Sequence, residues 1–191
     1  MKIKELNKLL EKPFLLKKRI EFYEKKKIIE KVPFDLAEIN GHKEKSEHDL
    51  KFVSDNMNLE YFDWCITGCY YASYQIALSL IRAKGIYSKN HDATLCLLAR
   101  DYFKEGITKE DIELINMFFL NYQDLLFYVQ SKSKREEASY GTKYNFDKED
   151  VEKLRKKTIE FIDKARKILQ NTLEIIEKQR FEKIKIQSKT L

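Results

Sequence analysis

A chain of 191 residues with 37 basic and 31 acidic side chains is long enough to bury a sizeable core and too short for two ordinary domains. Its five glycines and two prolines are too few for the turns of a sandwich, a barrel or a glycine-rich phosphate loop, which leaves a mostly α-helical protein. The net charge of +6 fits a polyanion such as RNA or DNA, although the excess is modest, reads as spread over several helices, and most of the charges suit solvated helix faces.

Residues 2–31 read as one or two charged helices interrupted at Pro13, with a narrow apolar stripe from Leu6, Leu9, Leu10, Phe14, Leu15, Ile20, Phe22, Ile28 and Ile29. Pro13 suits the first turn of a second helix, and Val32-Pro33 closes the segment. Residues 1–42 are therefore expected to form a helical arm packed on the core or on a partner, and no apolar run of signal-peptide length opens them. A break at Gly41-His42 precedes a short amphipathic helix, Lys43–Met57, with Leu50, Phe52, Val53 and Met57 on its apolar side.

Leu59–Lys84, LEYFDWCITGCYYASYQIALSLIRAK, is the most apolar and aromatic run of the chain. Its apolar residues, Trp64 among them, point in almost every direction around a 3.6-residue turn, which predicts a central helix enclosed by others. Asn58 is its expected N-cap and Gly85 its expected C′ residue. Glu60, Asp63, Gln75 and Arg82 within or beside it argue against a membrane span. Asp63 is the odd charge here. A buried carboxylate needs a partner, and Arg135 or a lysine across the bundle would serve. Cys65, Cys69 and Cys96 all sit in apolar helical patterns, and an odd count without a secretory signal predicts packed thiols in a cytoplasmic protein. Cys65 and Cys69 share a helix face, but no third Cys or His stands at ligand spacing, so neither a metal nor a cofactor is expected.

After a loop at residues 85–90, a helix starts near His91, carries Leu95, Leu98, Ala99, Tyr102 and Phe103 on one side, and ends at Gly106. Thr108 and Asp111 form a capping box for the next helix, which runs to about Gln130 through Ile112, Ile115, Phe118, Phe119 and Tyr122. Residues 131–146, SKSKREEASYGTKYNF, are short of aliphatics, and Asp147 caps a last helix that continues to about Ile186. His42 and His48 read as surface residues. The architecture expected is all-α: an antiparallel up-and-down four-helix bundle in residues 43–191, with the N-terminal arm and a last helix long enough to overrun the bundle.

The run CYYASYQIALSLIRAKGIYSKNHDATLCLLARDYF, followed by a long helix and then KREEASYGTKYNFDKEDVEKLRKKTIEFIDKARKIL, resembles the HEPN superfamily, in particular its small stand-alone prokaryotic and archaeal members. The resemblance covers about Lys43 to Leu169. Its pieces are Tyr70-Tyr71-Ala72 in the second helix, Lys89 and His91 before the third, and Arg135, Ala138, Tyr140 and Gly141 before the last. It implies a bundle that forms a homodimer, often paired with a minimal nucleotidyltransferase in toxin and antitoxin systems. Many members are metal-independent ribonucleases that use an Arg and, four to six residues on, a His at the dimer interface. There the His would move protons at the ribose 2′-OH and the leaving oxygen, and the Arg would stabilise the phosphorane charge.

Arg135 matches the Arg of that pattern, but Tyr140 stands where the His would be, and no His follows His91. A tyrosine with a pKa near 10 can donate to a phosphate oxygen but is a poor base at pH 7. The implied catalytic set is thus Arg135, Tyr140 and, if the fold brings it close, His91. Lys132, Lys134, Lys143, Tyr144 and Asp63 are the accompanying candidates for contacts with RNA or a partner. Two readings follow. One is a toxin-type protein that binds RNA and cleaves it weakly without metal. The other is a non-catalytic interaction module that pairs with a nucleotidyltransferase; a purely structural bundle is a more distant third.

Overall fold

The computed structural model describes residues 1–103, 105–132 and 147–187. Among these the chain forms α1 (Ile3–Glu11), α2 (Pro13–Lys25), β1 (Ile29–Lys31), α3 (Leu36–Asn58), α4 (Phe62–Ala83), β2 (Ile86–Ser88), α5 (His91–Tyr102), α6 (Lys109–Lys132) and α7 (Lys148–Gln187). The all-α bundle read from the sequence is the observed fold, with one small antiparallel strand pair added.

Helix α4 is the centre. It packs against α3, α5, α6 and α7, and buried residues occur all the way round it, from Cys65 and Ile66 to Leu80 and Ile81. Its lower half joins Val53, Phe118 and Val151 around Cys65, Cys69 and Tyr70. Its upper half belongs to the larger core, where Ile76, Leu80 and Ile81 meet Leu95, Leu98, Ile112, Phe161 and Ile162. Helix α7 runs antiparallel to α3, because Arg155 donates to the Ser54 hydroxyl at 3.3 Å while Arg166 pairs with Glu47 at 3.2 Å.

The helix starts depart from the sequence reading at two places. Helix α3 begins at Leu36 and not at Lys43, because the Asp35 carboxylate caps it, accepting from the amides of Ala37 and Glu38. It then runs straight through Gly41, a residue whose lack of side chain costs helix stability without forbidding the helix. Asn58 is the last residue of α3 rather than the cap of α4, and α4 starts only at Phe62, after Glu60 takes up a positive φ of 61°. Trp64, expected inside, is 49 % exposed at the near end of α4. The other caps are as read. Asp111 and Thr108 bond reciprocally, and Asp147 accepts from the Glu149 amide at 2.8 Å.

The arm is tied down at several points. Leu6, Leu9, Leu16, Ile20, Tyr23 and Ile29 enter the larger core, each contributing on the order of 1.5–3 kcal/mol by burial. Arg19 of α2 pairs with Glu5 of α1, and β1 pairs with β2 in the register Ile29 to Ser88. The Val32 amide donates to the Gly85 carbonyl at 2.9 Å. Gly85 takes the expected C′ position with φ of 69°, and a Cβ there would stand 3.2 Å from the Val32 carbonyl. The apolar stripe read for the arm is corrected at two residues: Phe14 and Phe22 are 65 % and 51 % exposed, while Leu16 and Tyr23 face inward in their place. No helix among the described residues is long and apolar enough to cross a membrane.

Two glycines make opposite demands. Gly41 is exposed with nothing within 4 Å of a built Cβ, so Gly41→Ala is expected to raise the unfolding free energy by about 1 kcal/mol. At Gly68 a Cβ would come 2.6 Å from Val53 Cγ2 and 3.1 Å from Phe52 Cδ1, so Gly68→Ala is expected to cost about 1–3 kcal/mol by parting α3 from α4. Urea titrations of the two variants check both signs.

Candidate functional site

The Asn90 side chain accepts from the Ala93 amide at 2.8 Å and so starts α5 at His91. This first residue points inward. His91 is 5 % exposed, its ring stacked on Phe119 of α6 at a centroid distance of 4.0 Å and an interplanar angle of 11°. Tyr70 and Tyr74 of α4 close the box at 5.8 and 5.7 Å, themselves stacked at 5.6 Å. The Tyr74 hydroxyl meets Thr94 Oγ1 at 3.2 Å, and Thr94 in turn donates to the Ser88 hydroxyl and to the Asn90 carbonyl. Asn116 of α6 stands beside this box, its Nδ2 donating to the Met1 carbonyl at 3.0 Å, while the Met1 amino group pairs with Asp92 at 2.8 Å.

Burial, helped by the nearby amino-terminal charge, lowers the His91 pKa to about 3, with Asn116 opposing it weakly. No hydrogen bond of regular geometry reaches either ring nitrogen. At neutral pH the imidazole is therefore uncharged, walled by three aromatic rings and shielded from bulk water. In this position it packs α5 against α4 and α6.

Asp63 sits in the first turn of α4, half-buried, and forms no ion pair among the described residues. Asp63 is thus half-buried where a buried carboxylate was expected, Arg135, the partner expected for it, lies outside the described residues, and the positive end of the helix dipole stabilises a charge at that place. Burial, and Asp63 after it, push the Cys65 thiol up to about 11. Cys69 and Cys96 are pushed up to about 12, chiefly by burial, so all three cysteines are packed, inert thiols. His48 is a surface residue, as read, but His42 is partly buried and bonds Gln75 Oε1 through Nδ1 at 2.7 Å. Among the described residues no three His, Cys, Asp or Glu side chains stand close enough to hold a metal ion.

Arg135, Tyr140, Lys134, Lys143 and Tyr144 lie outside the described residues, and Lys132 is the last residue of α6. The described structure does fix where their connection re-enters the fold. Val151, one turn into α7, packs with Val53 and Cys65 at the end of the bundle where α3 hands over to α4. Sequence reasoning singled out Tyr70 and His91 separately; it did not see that Phe119, Tyr74 and Asn116 surround the histidine. The periodic pattern placed Phe119 on the inner face of α6, but which residue it would meet there depends on the pairing of distant helices.

The fold is thus that of an all-α bundle protein built around a buried aromatic helix, with helices added at both ends of the chain. The HEPN domain family model matches residues 39–169, from within α3 to the middle of α7, and the chain belongs to the HEPN family. A protein of Methanocaldococcus jannaschii named "Putative toxin MJ0142" is 28 % identical over 126 residues, spanning 66 % of this chain and 78 % of that protein. The family match includes His91 and the Arg135 to Tyr140 segment, and it leaves out α1, α2, β1 and the second half of α7.

The His91 box makes stability depend on pH. The unfolded histidine takes up a proton near pH 6.5 and the folded one only near 3. Its contribution is complete above pH 6.5 and falls by up to about 1.4 kcal/mol per unit as the pH drops from 6.5 toward 3. His91→Phe, which keeps a ring in the stack, is expected to remove this slope. Unfolding free energies at pH 7.5 and pH 5, compared between the two proteins, should differ in their change by about 2 kcal/mol.

Proposed function

We propose that this HEPN protein is the toxin-type member of a toxin and antitoxin pair, that it binds RNA, and that it cleaves RNA weakly without a metal. The observation that carries this reading is the position of the Arg135 to Tyr140 segment inside the family match, in a chain similar to the protein named "Putative toxin MJ0142". Arg135 is the group for the scissile phosphate: its planar, permanently charged guanidinium offers paired donors to the phosphorane oxygens. Tyr140 supplies a hydroxyl that donates to a phosphate oxygen. Neither group is a good proton acceptor at pH 7, and loss of one acid-base catalyst typically lowers a rate by about 10²–10⁴. In a homodimer the two Arg135 segments would face a common RNA, with Lys132, Lys134, Lys143 and Tyr144 as neighbouring contacts. The expected compartment is the cytoplasm.

A second reading is favoured by the neutrality and burial of His91, which keep the nearest histidine in sequence out of acid-base work. In it the protein is a non-catalytic module whose partner is a minimal nucleotidyltransferase, and the Arg135 to Tyr140 segment is part of the surface it presents.

Incubation of the full chain with structured RNA in excess EDTA separates the two. Slow cleavage that falls at least about 100-fold in Arg135→Ala and rises in Tyr140→His, where a base with a pKa near neutrality is restored, supports the ribonuclease. Absence of cleavage in all three proteins, with retained binding to a co-expressed nucleotidyltransferase, supports the module.

A further inference from the structure

The charge of this chain is not distributed as its composition suggests. Residues 1–31 contain ten lysines and Arg19 against five glutamates, a net +6. That equals the net charge of the whole chain, so the 160 residues beyond Lys31 are balanced. The reading of an excess spread over several helices is corrected: all of it lies on α1, α2, β1 and their connections, outside the stretch that the family match covers.

All ten of these lysines are exposed, and among the described residues only Lys17, 4.0 Å from Glu21, has a carboxylate within ion-pair range. Two large rings are exposed among them. Leu16, Ile20 and Tyr23 turn the apolar face of α2 into the core, which leaves Phe14, Lys18 and Phe22 in a line along the opposite face, four residues apart. Lys18 Nζ lies over the Phe14 ring at 4.4 Å. Beside this line, α1 and α2 enclose a groove of about 340 Å³ lined by Leu9, Leu15, Lys8, Lys18 and Phe22 together with Glu5, whose carboxylate is paired with Arg19.

From this arrangement we infer that the outer face of α1 and α2 is a docking surface for single-stranded RNA. The inference rests on the RNA-binding reading above and adds a second contact region to it. Phosphates are held by exposed lysines of which all but Lys17 have no carboxylate within ion-pair range among the described residues, and bases stack on the outward rings of Phe14 and Phe22. An anionic membrane offers the same negative charge, but it is the poorer fit. Lipid insertion needs a continuous apolar helix face. In α2 that face is already buried in the core, and what remains outside is two phenyl rings separated by Lys18. Stacking on separate bases needs only separate rings.

The test is fluorescence anisotropy of a labelled 20-nucleotide single-stranded RNA with the full chain, at 50–300 mM salt. Three variants accompany it: Phe14→Ala with Phe22→Ala, Lys8→Gln with Lys18→Gln, and Arg135→Ala. The phenylalanine pair is expected to weaken binding by about tenfold or more without changing the salt slope. The lysine pair should lower the slope of log K against log salt by about 1.4, since each neutralised phosphate contributes about 0.7 on single strands. Phe14→Trp with Phe22→Trp should bind as tightly as the parent, because stacking needs a ring and not phenylalanine. These residues are exposed, so thermal melts should be unchanged. RNA binding that is insensitive to both arm variants but lost in Arg135→Ala overturns the inference and leaves the RNA reading standing. No RNA binding by the parent overturns both. Arm-dependent binding to phosphatidylserine vesicles in place of RNA also overturns the inference, in favour of a membrane surface.

Discussion

The rest of this structure depends on the burial of α4 from every side. A helix whose apolar residues point in all directions cannot be stable in water, and it becomes stable only when α3, α5, α6 and α7 each cover part of its circumference. The contact with α3 is the closest. Gly68 leaves room for Val53 and Phe52 to approach within what would be the volume of a methyl group. Small polar residues along the same seam are satisfied by backbone carbonyls across it: Ser46 donates to the Ala72 carbonyl at 2.7 Å, and Ser79 to that of Ile39 at 2.8 Å. Such bonds let two helices lie side by side without leaving a buried hydroxyl unpaired, and they fix the register of α3 on α4.

The placing of the chemistry-bearing residues follows from that centre. Since α4 supplies Tyr70 and Tyr74 to one flank, whatever begins α5 must pack against rings, and His91 does so as a neutral imidazole. The histidine is drawn into the fold by the same aromatic residues that make the family pattern visible. The segment that carries Arg135 and Tyr140 stands in the sequence between α6 and α7, outside the described residues. The residues that pack the histidine and those proposed to meet a phosphate therefore belong to different parts of the sequence.

The arm shows how a helix can serve two purposes at once. One face of α2 completes the core with Leu16, Ile20 and Tyr23, and the strand pairing of β1 with β2 holds the arm in place. The opposite face is free to be lysine-rich and to expose aromatic rings, because the fold does not need it. The chain's whole positive excess is carried by residues 1–31, while the bundle that the family match covers is close to neutral.

The sequence by itself determined the helical class, the identity of the central helix, Pro13 as a helix start, Gly85 as a helix stop, and the caps at Thr108 and Asp147. These are local matters of periodicity and of side chains bonding amides one turn away. It also carried the resemblance to the HEPN family, since order and spacing of residues are sequence properties. Only the tertiary structure decided that Phe14 and Phe22 face out while Leu16 and Tyr23 face in, because a helix with apolar residues on two sides does not say which side meets a core. It decided, too, that α3 runs on through Gly41, since Asp35 and the contact with α4 outweigh the cost of one glycine. That His91 is buried between α4 and α6 depends on which helices lie side by side, and residues 70, 91 and 119 come together only when the bundle closes.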